Sequence, residues 1–411
     1  MFHLVFVCNQ RRENLTPAFS VAAKKKTLIV PDKDADGLTS GVILLKTLMF
    51  LGLPEDMISV HLMQKGSNIH EEEERKAMEA HNPSYVFVLD QGSRKSPPVV
   101  DNADCRVLLI DHHWAPTDDD FPQGAEHVTA CLSPPVATSS LLTYHLCCAL
   151  HSRVAETCAW LCAVGTHGDL GNTVKWEPPF PDMRAAFKEH TKKAVNGAVS
   201  LLNAPRRTAS YNVRAAWDAL TVASSPKDVL NDSILQNARV EVNAEVLRCA
   251  RAPPKFSADG RVAVIRINSA AQVHPVIATR WAGHLQSPRL EIVLVANEGY
   301  LTGKVNFSCR VARCAKGSDR DVPVDIIEVL RGYADAAQDP TLRARLGESF
   351  ARGHKEASGG IVPKEEFEEF MAVLDVGWKK RDGGDSLKQA RINVKSSEVP
   401  KQSNTLTNYF K

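Results

Sequence analysis

The chain has 411 residues, which is enough for two ordinary domains and a terminal tail. Hydrophobic residues make up 44% of it and charged residues 24%, a balance that is typical of globular proteins and argues against a fibrous or wholly disordered chain. The formal net charge of +2 excludes a strongly basic surface over the whole molecule, and no apolar run approaches the ~20 residues of a membrane span.

Residues 27 to 175 alternate short β-branched runs with helical patterns. The predicted strands are Thr27–Pro31, Met57–Met63, Tyr85–Leu89 and Arg106–Ile110, and the predicted helices between them are Thr39–Leu51 and Ile69–His81. Strands that alternate with helices indicate a mainly parallel sheet with helices on both faces. The strands are continuously apolar, as expected when both faces of a sheet are buried.

The rest of the chain predicts a helical stretch, a second α/β region and a polar tail. Residues 183 to 250 are helical in pattern, with a basic break at Pro205–Arg207. The second region has predicted strands at Val262–Ile267, Glu291–Ala296 and Leu301–Cys309, and a predicted helix at Asp325–Tyr333. We therefore expect an N-terminal extension (1–25), an α/β domain (26–182), a helical connector (183–257), a smaller α/β domain (258–376) and a flexible tail (377–411).

The predicted tail is basic. From Lys379 to Lys411 there are eight Lys and Arg against three Asp and Glu, which leaves the remainder of the chain slightly acidic. Such a tail is found in proteins that contact polyanions and also in solvated disordered segments, and both interpretations stay open. The ten cysteines form no paired C-x-x-C pattern, so we expect reduced thiols and a nuclear or cytoplasmic location. Arg11 and Arg12 near an apolar start leave a mitochondrial presequence as an alternative.

Four acidic or histidine-containing segments mark the candidate site. Asp32–Gly37, Asp90–Gly92 and Asp111–His113 each follow a predicted strand, and Gly165–Asp169 follows an apolar helix. A single Asp at a strand end is usually a helix cap or a turn former. Four such segments are hard to explain as caps, because the carboxyl ends of parallel strands meet at one edge, where ligands bind.

Carboxylates that cluster in this way repel one another unless a cation neutralises them. A mixed set of Asp and His ligands suits Mn²⁺ best, and Mg²⁺ is also plausible. Two such ions suit in-line displacement at phosphorus, because they stabilise both the attacking and the leaving oxygens. Gly37 would let the chain turn tightly into the next helix, whose N-terminus favours a phosphate. The sequence therefore predicts a two-metal phosphoesterase.

In this order, Asp-Lys-Asp-Ala-Asp-Gly, Leu-Asp-Gln-Gly, Ile-Asp-His-His and Gly-Thr-His-Gly-Asp resemble the four motifs of the DHH phosphoesterase superfamily. The first motif is similar to the RecJ-type version, and the match covers about residues 27 to 175. The resemblance implies that the catalytic residues are Asp34, Asp36, Asp90, His112, His113 and Asp169. It implies two Mn²⁺ or Mg²⁺ ions bound by residues from the set Asp32, Asp34, Asp36, Asp90, Asp111, His112 and Asp169.

A second match lies near the end of the smaller α/β domain. Arg352–Gly360 resembles the glycine-histidine motif of the DHH-associated C-terminal domain, and Phe307–Arg310 resembles its serine-arginine strand. The resemblance implies an active site in the cleft between the two domains. It implies that the substrate phosphate is bound by Ser308, Arg310, Gly353, His354, Gly359 and Gly360. Two residues depart from the family pattern: Arg352 replaces the usual first glycine, and Lys33 stands inside the first motif.

The last residues are similar to a PIP box, the short motif that docks into the replication sliding clamp (PCNA). Leu406 is followed three positions later by Tyr409 and Phe410, and Ser403 stands where the motif usually has Gln. An apolar residue and two aromatics in this spacing form a single-turn plug for a hydrophobic pocket. We expect these three side chains to contact the partner.

The leading hypothesis is a RecJ-like exonuclease that acts on single-stranded nucleic acid in replication or repair. A small-substrate phosphoesterase of the same superfamily, acting on short oligonucleotides, cyclic dinucleotides or polyphosphate, is the first alternative. A non-catalytic replication scaffold is the second, and the complete set of ligand residues argues against it. Aromatic residues make up only 6% of the chain, which leaves the extent of strand binding open.

Overall fold

The computed structural model describes residues 22–316 and 323–376. These residues form two compact units, one of residues 22–206 with 211–239 and one of residues 207–210 with 240–376. Within the described ranges, no helix is both long and apolar enough to cross a bilayer. Most of the predicted N-terminal extension lies outside these ranges, as does the predicted tail with Leu406, Tyr409 and Phe410.

The first unit is built on a five-stranded sheet in the order β2-β1-β3-β4-β5, and all its strand pairs are parallel. Its strands are β1 (Thr27–Pro31), β2 (Ile58–Val60), β3 (Tyr85–Leu89), β4 (Arg106–Ile110) and β5 (Glu126–Val128). The predicted parallel sheet is confirmed, and β1, β3 and β4 have the predicted bounds. The second strand is shorter than predicted, and β5 was not predicted.

Helices cover both faces of this sheet. They are α1 (Ala35–Phe50), α2 (Glu72–Glu79), α3 (Ser139–Leu150), α4 (Arg153–Thr157), α5 (Ala159–Leu170), α6 (Arg184–Glu189), α7 (Lys192–Leu202), α8 (Val213–Val222) and α9 (Pro226–Asn231). Alternate residues of β1 belong to hydrophobic clusters on opposite faces of the sheet. Ile29 packs with α1, α3 and α5, whereas Leu28 and Val30 pack with Met78 of α2. All of these side chains are fully buried, which explains the continuous apolar runs in the sequence.

Helix α1 begins one turn earlier than predicted, because the first motif supplies its cap. Asp34 has an extended backbone, and its side chain accepts hydrogen bonds from the Asp36 and Gly37 amides. This is the geometry of an N-cap residue. A Cβ on Gly37 would lie 2.6 Å from the Asp32 carbonyl oxygen, so the turn from β1 into α1 needs glycine at this position.

The fourth motif is part of a helix. We predicted that Gly165–Asp169 would follow the apolar helix, and this is wrong, since α5 continues to Leu170. It ends at Gly171, whose φ of 78° lies in the left-handed region where glycine stops helices. Gly165 lies where α5 crosses α1 and α3, and a Cβ there would overlap the Thr39 and Ser140 hydroxyls. This close crossing brings the last turn of α5 towards the sheet edge.

The second unit contains a six-stranded mixed sheet in the order β10-β11-β9-β8-β7-β6. Its strands are β6 (Lys255–Phe256), β7 (Val262–Ile267), β8 (Ile292–Leu301), β9 (Lys304–Val311), β10 (Arg352–His354) and β11 (Ala357–Pro363). Only β7 and β8 pair in parallel. Its helices are α11 (His274–His284), α12 (Ile326–Asp335), α13 (Leu342–Arg345) and α14 (Lys364–Val373), and α10 (Ser233–Cys249) runs across the boundary between the units.

Candidate active site

Three aspartates are aligned at the carboxyl edge of the parallel sheet by main-chain hydrogen bonds. The Asp32 amide donates to Leu89 O at 2.9 Å, and the Asp90 amide donates to Ile110 O at 2.9 Å. The Asp111 amide donates to Val128 O at 3.1 Å. The strand pairing therefore extends one residue beyond β1, β3 and β4. The backbone alone places the three carboxylates side by side, as the strand-end argument predicts.

Asp90 lies at the centre of this row. Its φ of 63° is in the left-handed region, where Asp and Asn occur more readily than most other non-glycine residues. The side chain is buried, its Oδ1 accepts a hydrogen bond from the Ser139 hydroxyl at 2.9 Å, and the same oxygen lies 3.3 Å from His112 Nε2. Backbone outliers of this kind concentrate at functional sites.

His112 connects the sheet edge to α5. Its Nε2 lies 3.3 Å from Asp90 Oδ1 and also 3.3 Å from Asp169 Oδ2. Asp169 therefore reaches the site from the last turn of α5, although its motif is helical. All four sequence segments contribute a side chain to one cluster.

Two groups of potential metal ligands share Asp90. One consists of Asp90, His112 and His113, and the other of Asp32, Asp34 and Asp90. Within each group the ligand atoms all lie within 4.8 Å of one another. Carboxylate oxygens and imidazole nitrogens suit Mn²⁺ and Mg²⁺. Burial, followed by the charges of Asp36 and Asp34, raises the pKa of Asp90 well above its usual value, and a cation would relieve this repulsion.

Asp36 has protein donors on both oxygens. Its Oδ2 accepts the Ser139 amide at 2.8 Å and its Oδ1 accepts the Ser140 amide at 2.9 Å, both at the N-terminus of α3. An anion is favoured at this end of a helix. Burial nevertheless raises the pKa of Asp36, and the Asp169 carboxylate adds to the increase. In this structure Asp36 joins α1 to α3 and belongs to neither ligand group.

Asp111 orients His113. The Asp111 Oδ1 lies 2.7 Å from His113 Nδ1 and accepts the His112 amide at 2.8 Å, while its Oδ2 accepts the Ser93 amide at 3.1 Å. Burial alone would raise the pKa of Asp111, but the His113 hydrogen bond holds it well below its usual value. Burial likewise opposes the charged form of His113, yet Asp111 raises the pKa of His113 to about 9. Asp111 therefore favours the protonated form of the imidazole.

Arg206 is a site residue that the sequence analysis missed. Its Nη2 lies 3.7 Å from Asp34 Oδ2, and its Nε donates to Asn203 Oδ1 at 3.0 Å. Asn203 Oδ1 also accepts a hydrogen bond from the Ala35 amide at 3.3 Å. Asn203 and Arg206 are thereby held against the start of α1. Burial alone would raise the pKa of Asp34, but the Arg206 charge and the Gly37 amide bring it below its usual value. The only sequence signal was the basic break after α7, which carries no indication of where the side chain points.

Two further motif residues have structural partners. Lys33 Nζ lies 3.2 Å from Asp32 Oδ1, so this departure from the family pattern pairs with a candidate ligand. His167 is buried: its Nδ1 lies 2.8 Å from Asn196 Oδ1, and its Nε2 accepts the Trp176 indole N–H at 3.2 Å. Burial lowers the pKa of His167. Its two nitrogens therefore connect α5 to α7 and to the segment that follows α5.

In the second unit, the residues predicted to bind phosphate lie on three adjacent strands. Gly359 of β11 is paired with Ser308 of β9 on one side and with Arg352 of β10 on the other. Arg310 Nη1 donates to Ser308 Oγ at 3.0 Å. The remaining predicted residues on these strands are Gly353, His354 and Gly360. The buried His274 lies near this group, and burial, followed by the Arg310 and Arg207 charges, lowers the pKa of His274 to about 3.

Residues 26–166 match the family model described as DHH family, N-terminal domain. No curated protein sequence matches the chain. Similar solved structures include RecJ in complex with Mn²⁺ from Thermus thermophilus, with a TM-score of 0.56, 18% identity, and coverage of 87% of this chain and 53% of that one. The chain thus spans about half the length of that RecJ.

Two other structures cover most of both chains. The DHH domain of a protein described as a member of a family of ribosomal proteins has a TM-score of 0.61 and 13% identity, and the match covers 88% of this chain and 89% of that one. An exonuclease RecJ bound to manganese has a TM-score of 0.54 and 19% identity, covering 87% and 93%. At these identities the similarity establishes the fold, which combines a parallel α/β sheet with a second sheet, as in RecJ.

Proposed function

We propose that this chain, whose residues 26–166 match the DHH family N-terminal domain, is a metal-dependent phosphodiesterase that degrades single-stranded nucleic acid as a RecJ-like exonuclease. The observation that carries the proposal is the position of Asp90. It is buried, belongs to both groups of potential ligands and lies between two other aligned carboxylates. A shared carboxylate between two cation sites suits phosphoryl chemistry.

In this proposal, Asp32, Asp34 and Asp90 hold one cation, and Asp90 with His112 holds the other. Asp169 would complete the second group, since it shares His112 Nε2 with Asp90. When bound, the cations supply positive charge that polarises the phosphate and lowers the pKa of water. Mn²⁺ or Mg²⁺ fits the donor set. The chain's own contribution is to fix these side chains through the main-chain row at the sheet edge.

His113 has the geometry of a residue that meets the substrate. Its ring is half-exposed, with Nδ1 against Asp111, so Nε2 is the nitrogen left to face a phosphate oxygen. Asp111 acts as a positioning residue, because its two oxygens accept bonds from Ser93 and from both histidines. The proposal assigns Ser308, Arg310, Gly353, His354, Gly359 and Gly360 to the binding of a substrate phosphate, because guanidinium forks and glycine amides suit anions.

Trp114 favours nucleotide substrates over inorganic polyphosphate. It follows His113 directly and is 68% exposed, which is unusual for so large an apolar side chain. An aromatic face beside a phosphate site can stack on a nucleobase, whereas polyphosphate has nothing to stack. Stacking is worth about 1–3 kcal/mol per base, enough to affect substrate choice.

The test is a substrate-range assay with the full chain and Mn²⁺. The substrates are labelled single-stranded DNA, single-stranded RNA, a dinucleotide and polyphosphate. We expect hydrolysis of the single strands, and we expect Trp114→Ala to lower kcat/KM on them by about tenfold, within the range for one lost stacking contact. Val222→Ala, at an exposed apolar residue of α8, is the matched control and should have no effect. Consumption of dinucleotide or polyphosphate alone would make the nuclease proposal wrong.

We also propose that the tail docks into the replication sliding clamp through Leu406, Tyr409 and Phe410. The support is the spacing of these residues at the end of a basic segment. The full chain should retain the clamp (PCNA) in a pull-down, and the Tyr409→Ala/Phe410→Ala double variant should not. If the full chain and the double variant retained the clamp equally, or if neither retained it, the clamp would be removed from the proposal.

A further inference from the structure

A cavity of about 620 Å³ lies directly beyond the helix that carries Asp169. It is formed by the segment after α5 and by helices α6 and α7, all within the first unit. The lining residues that matter here are Asn172, Lys175, Trp176, Phe187, Lys188 and Lys192. Neither the predicted metal ligands nor the residues predicted to bind phosphate line this cavity. The cavity therefore lies next to the helix that carries Asp169 but does not include the candidate metal ligands.

The charge of the cavity suits an anion. Lys175, Lys188 and Lys192 are exposed, and Glu177 is the carboxylate that lines it with them. Arg184 also lines the cavity, but the neighbouring Asp182 neutralises it. Three cationic side chains around one concave surface, in a chain with a net charge of only +2, form a local rather than a general basic region.

Two aromatic rings form the apolar part of the same cavity. The Trp176 and Phe187 ring centroids are 5.8 Å apart, with 60° between the ring planes. Trp176 is held in place because its indole N–H donates to His167 Nε2, and the Lys192 ammonium lies 5.4 Å from the Phe187 ring centroid. Fixed aromatic faces interspersed with lysines are the combination that binds single-stranded nucleic acid, since bases stack while phosphates meet the cations.

Asn172 adds an unsatisfied polar atom. Its side-chain Oδ1 is buried and accepts no hydrogen bond from the described residues. A buried acceptor without a donor is unfavourable. The oxygen is covered in this structure, so the N–H group of a ligand would reach it only after the side chain turned towards the cavity. The exocyclic amino groups of nucleobases are donors of this kind.

The chain itself keeps the cavity near the candidate active site. Asn172 is three residues from Asp169, so their Cα atoms are at most about 11 Å apart, because consecutive Cα atoms are 3.8 Å apart. His167 further fixes the distance, since it lies two residues before Asp169 on α5 and bonds to Trp176. A strand whose cleaved phosphate lies at Asp90 would therefore pass close to the cavity.

We propose that this cavity binds the stretch of single-stranded nucleic acid next to the cleaved phosphate, with Trp176 stacking on a base and the lysines contacting phosphates. Phe187 supports Trp176, since its own ring stacks on His167. The inference rests on the proposed nuclease function and deepens it by naming where the strand lies. It also gives a place where a chain with few aromatics could hold a strand, because Trp176 and Phe187 line this cavity together with the lysines.

The test uses the full chain, a labelled single-stranded 20-mer and a dinucleotide. The variant is Lys188→Glu/Lys192→Glu, and the matched control is Lys193→Glu, an exposed lysine on the same helix as Lys192 that does not line the cavity. We measure 20-mer binding by fluorescence anisotropy in EDTA, so that binding is separated from hydrolysis. We expect the Kd to rise at least tenfold in the double variant and to change little in the control.

Hydrolysis and salt dependence complete the test. The double variant should show a higher KM for the 20-mer and a much smaller change on the dinucleotide, which offers the lysines far fewer phosphates. The slope of log Kd against log salt should fall by about 0.7 for each lost phosphate contact. An unchanged Kd and slope in the double variant would overturn the inference. Loss of binding in the variant without any hydrolysis by the wild type would support the binding site and refute the nuclease function.

Discussion

We expect Asp90→Asn to lower the hydrolytic rate by at least about a thousandfold, equivalent to roughly 4 kcal/mol of barrier, on every substrate that the wild type consumes. Asp90 belongs to both groups of potential ligands, so its loss weakens both cation sites at once. Asn is the suitable replacement because it tolerates the left-handed backbone at φ 63°, whereas Ala would add strain. The rate is measured with Mn²⁺ at saturating substrate.

The same variant should be more stable than the wild type when metal is removed. Burial and the neighbouring carboxylates raise the pKa of Asp90 in the folded state, so the folded chain binds this proton more tightly than the unfolded chain. Stability then falls with rising pH, by up to about 1.4 kcal/mol per pH unit, from the unfolded pKa of about 3.9 to the folded one. At pH 7.5 the neutral Asn avoids this cost.

Thermal melts separate this interpretation from simple damage. In EDTA the Tm of Asp90→Asn should exceed that of the wild type, and added Mn²⁺ should raise the Tm of the wild type only. Asp101→Asn, at an exposed aspartate in the loop before β4, should behave as wild type in both conditions. Retained turnover, or a normal Mn²⁺ response, in Asp90→Asn would contradict the metal assignment.

The second large effect concerns packing. Gly165→Ala should destabilise the protein by about 1–3 kcal/mol, the usual cost of forcing an extra methyl group into a filled core. The new Cβ would overlap the Thr39 and Ser140 hydroxyls where α5 crosses α1 and α3. Because α5 carries Asp169, any outward shift of the helix also separates Asp169 from His112 and should reduce the rate. Urea denaturation and steady-state kinetics measure the two effects.

Gly332→Ala is the matched control for this change. Gly332 is also in a helix, α12, but a Cβ at this position would have no atom from outside its own helix turn within 4 Å. Alanine favours a helix over glycine by about 0.5–1 kcal/mol, so this variant should be as stable as the wild type or slightly more so. Equal stabilities for Gly165→Ala and Gly332→Ala would mean that the helix crossing has room for a methyl group.

The sequence predicted the strands of the first sheet better than the bounds of the helices next to the site. The strands β1, β3 and β4 were predicted with correct bounds, because strands buried on both faces give uninterrupted apolar runs. The start of α1 was placed one turn late, because Asp34, Asp36 and Gly37 are typical of loops as well as of capped helices. For the same reason the sequence predicts that Gly165–Asp169 follows the apolar helix, although the segment is part of that helix.

Long-range partners explain what the sequence did not reveal. Arg206 reaches Asp34 across 172 positions of the chain, and no local pattern indicates such a contact. The sequence likewise gives no sign that both Asp36 oxygens meet the amides at the start of α3. The cavity beyond α5 is lined by Trp176, by Phe187 and by lysines of α6 and α7. These side chains become neighbours only through the fold.

The hydrogen bonds from the Asp32, Asp90 and Asp111 amides have a consequence for ion selectivity. They tie the spacing of the three backbone positions to the distance between adjacent strands, about 4.8 Å, which a sheet cannot alter appreciably. Ions of different radius could then be accommodated only by rotation of the side chains. Discrimination between metals would rest on a rigid frame that exists before any ion arrives, and exchange of one ion for another would leave the fold unchanged.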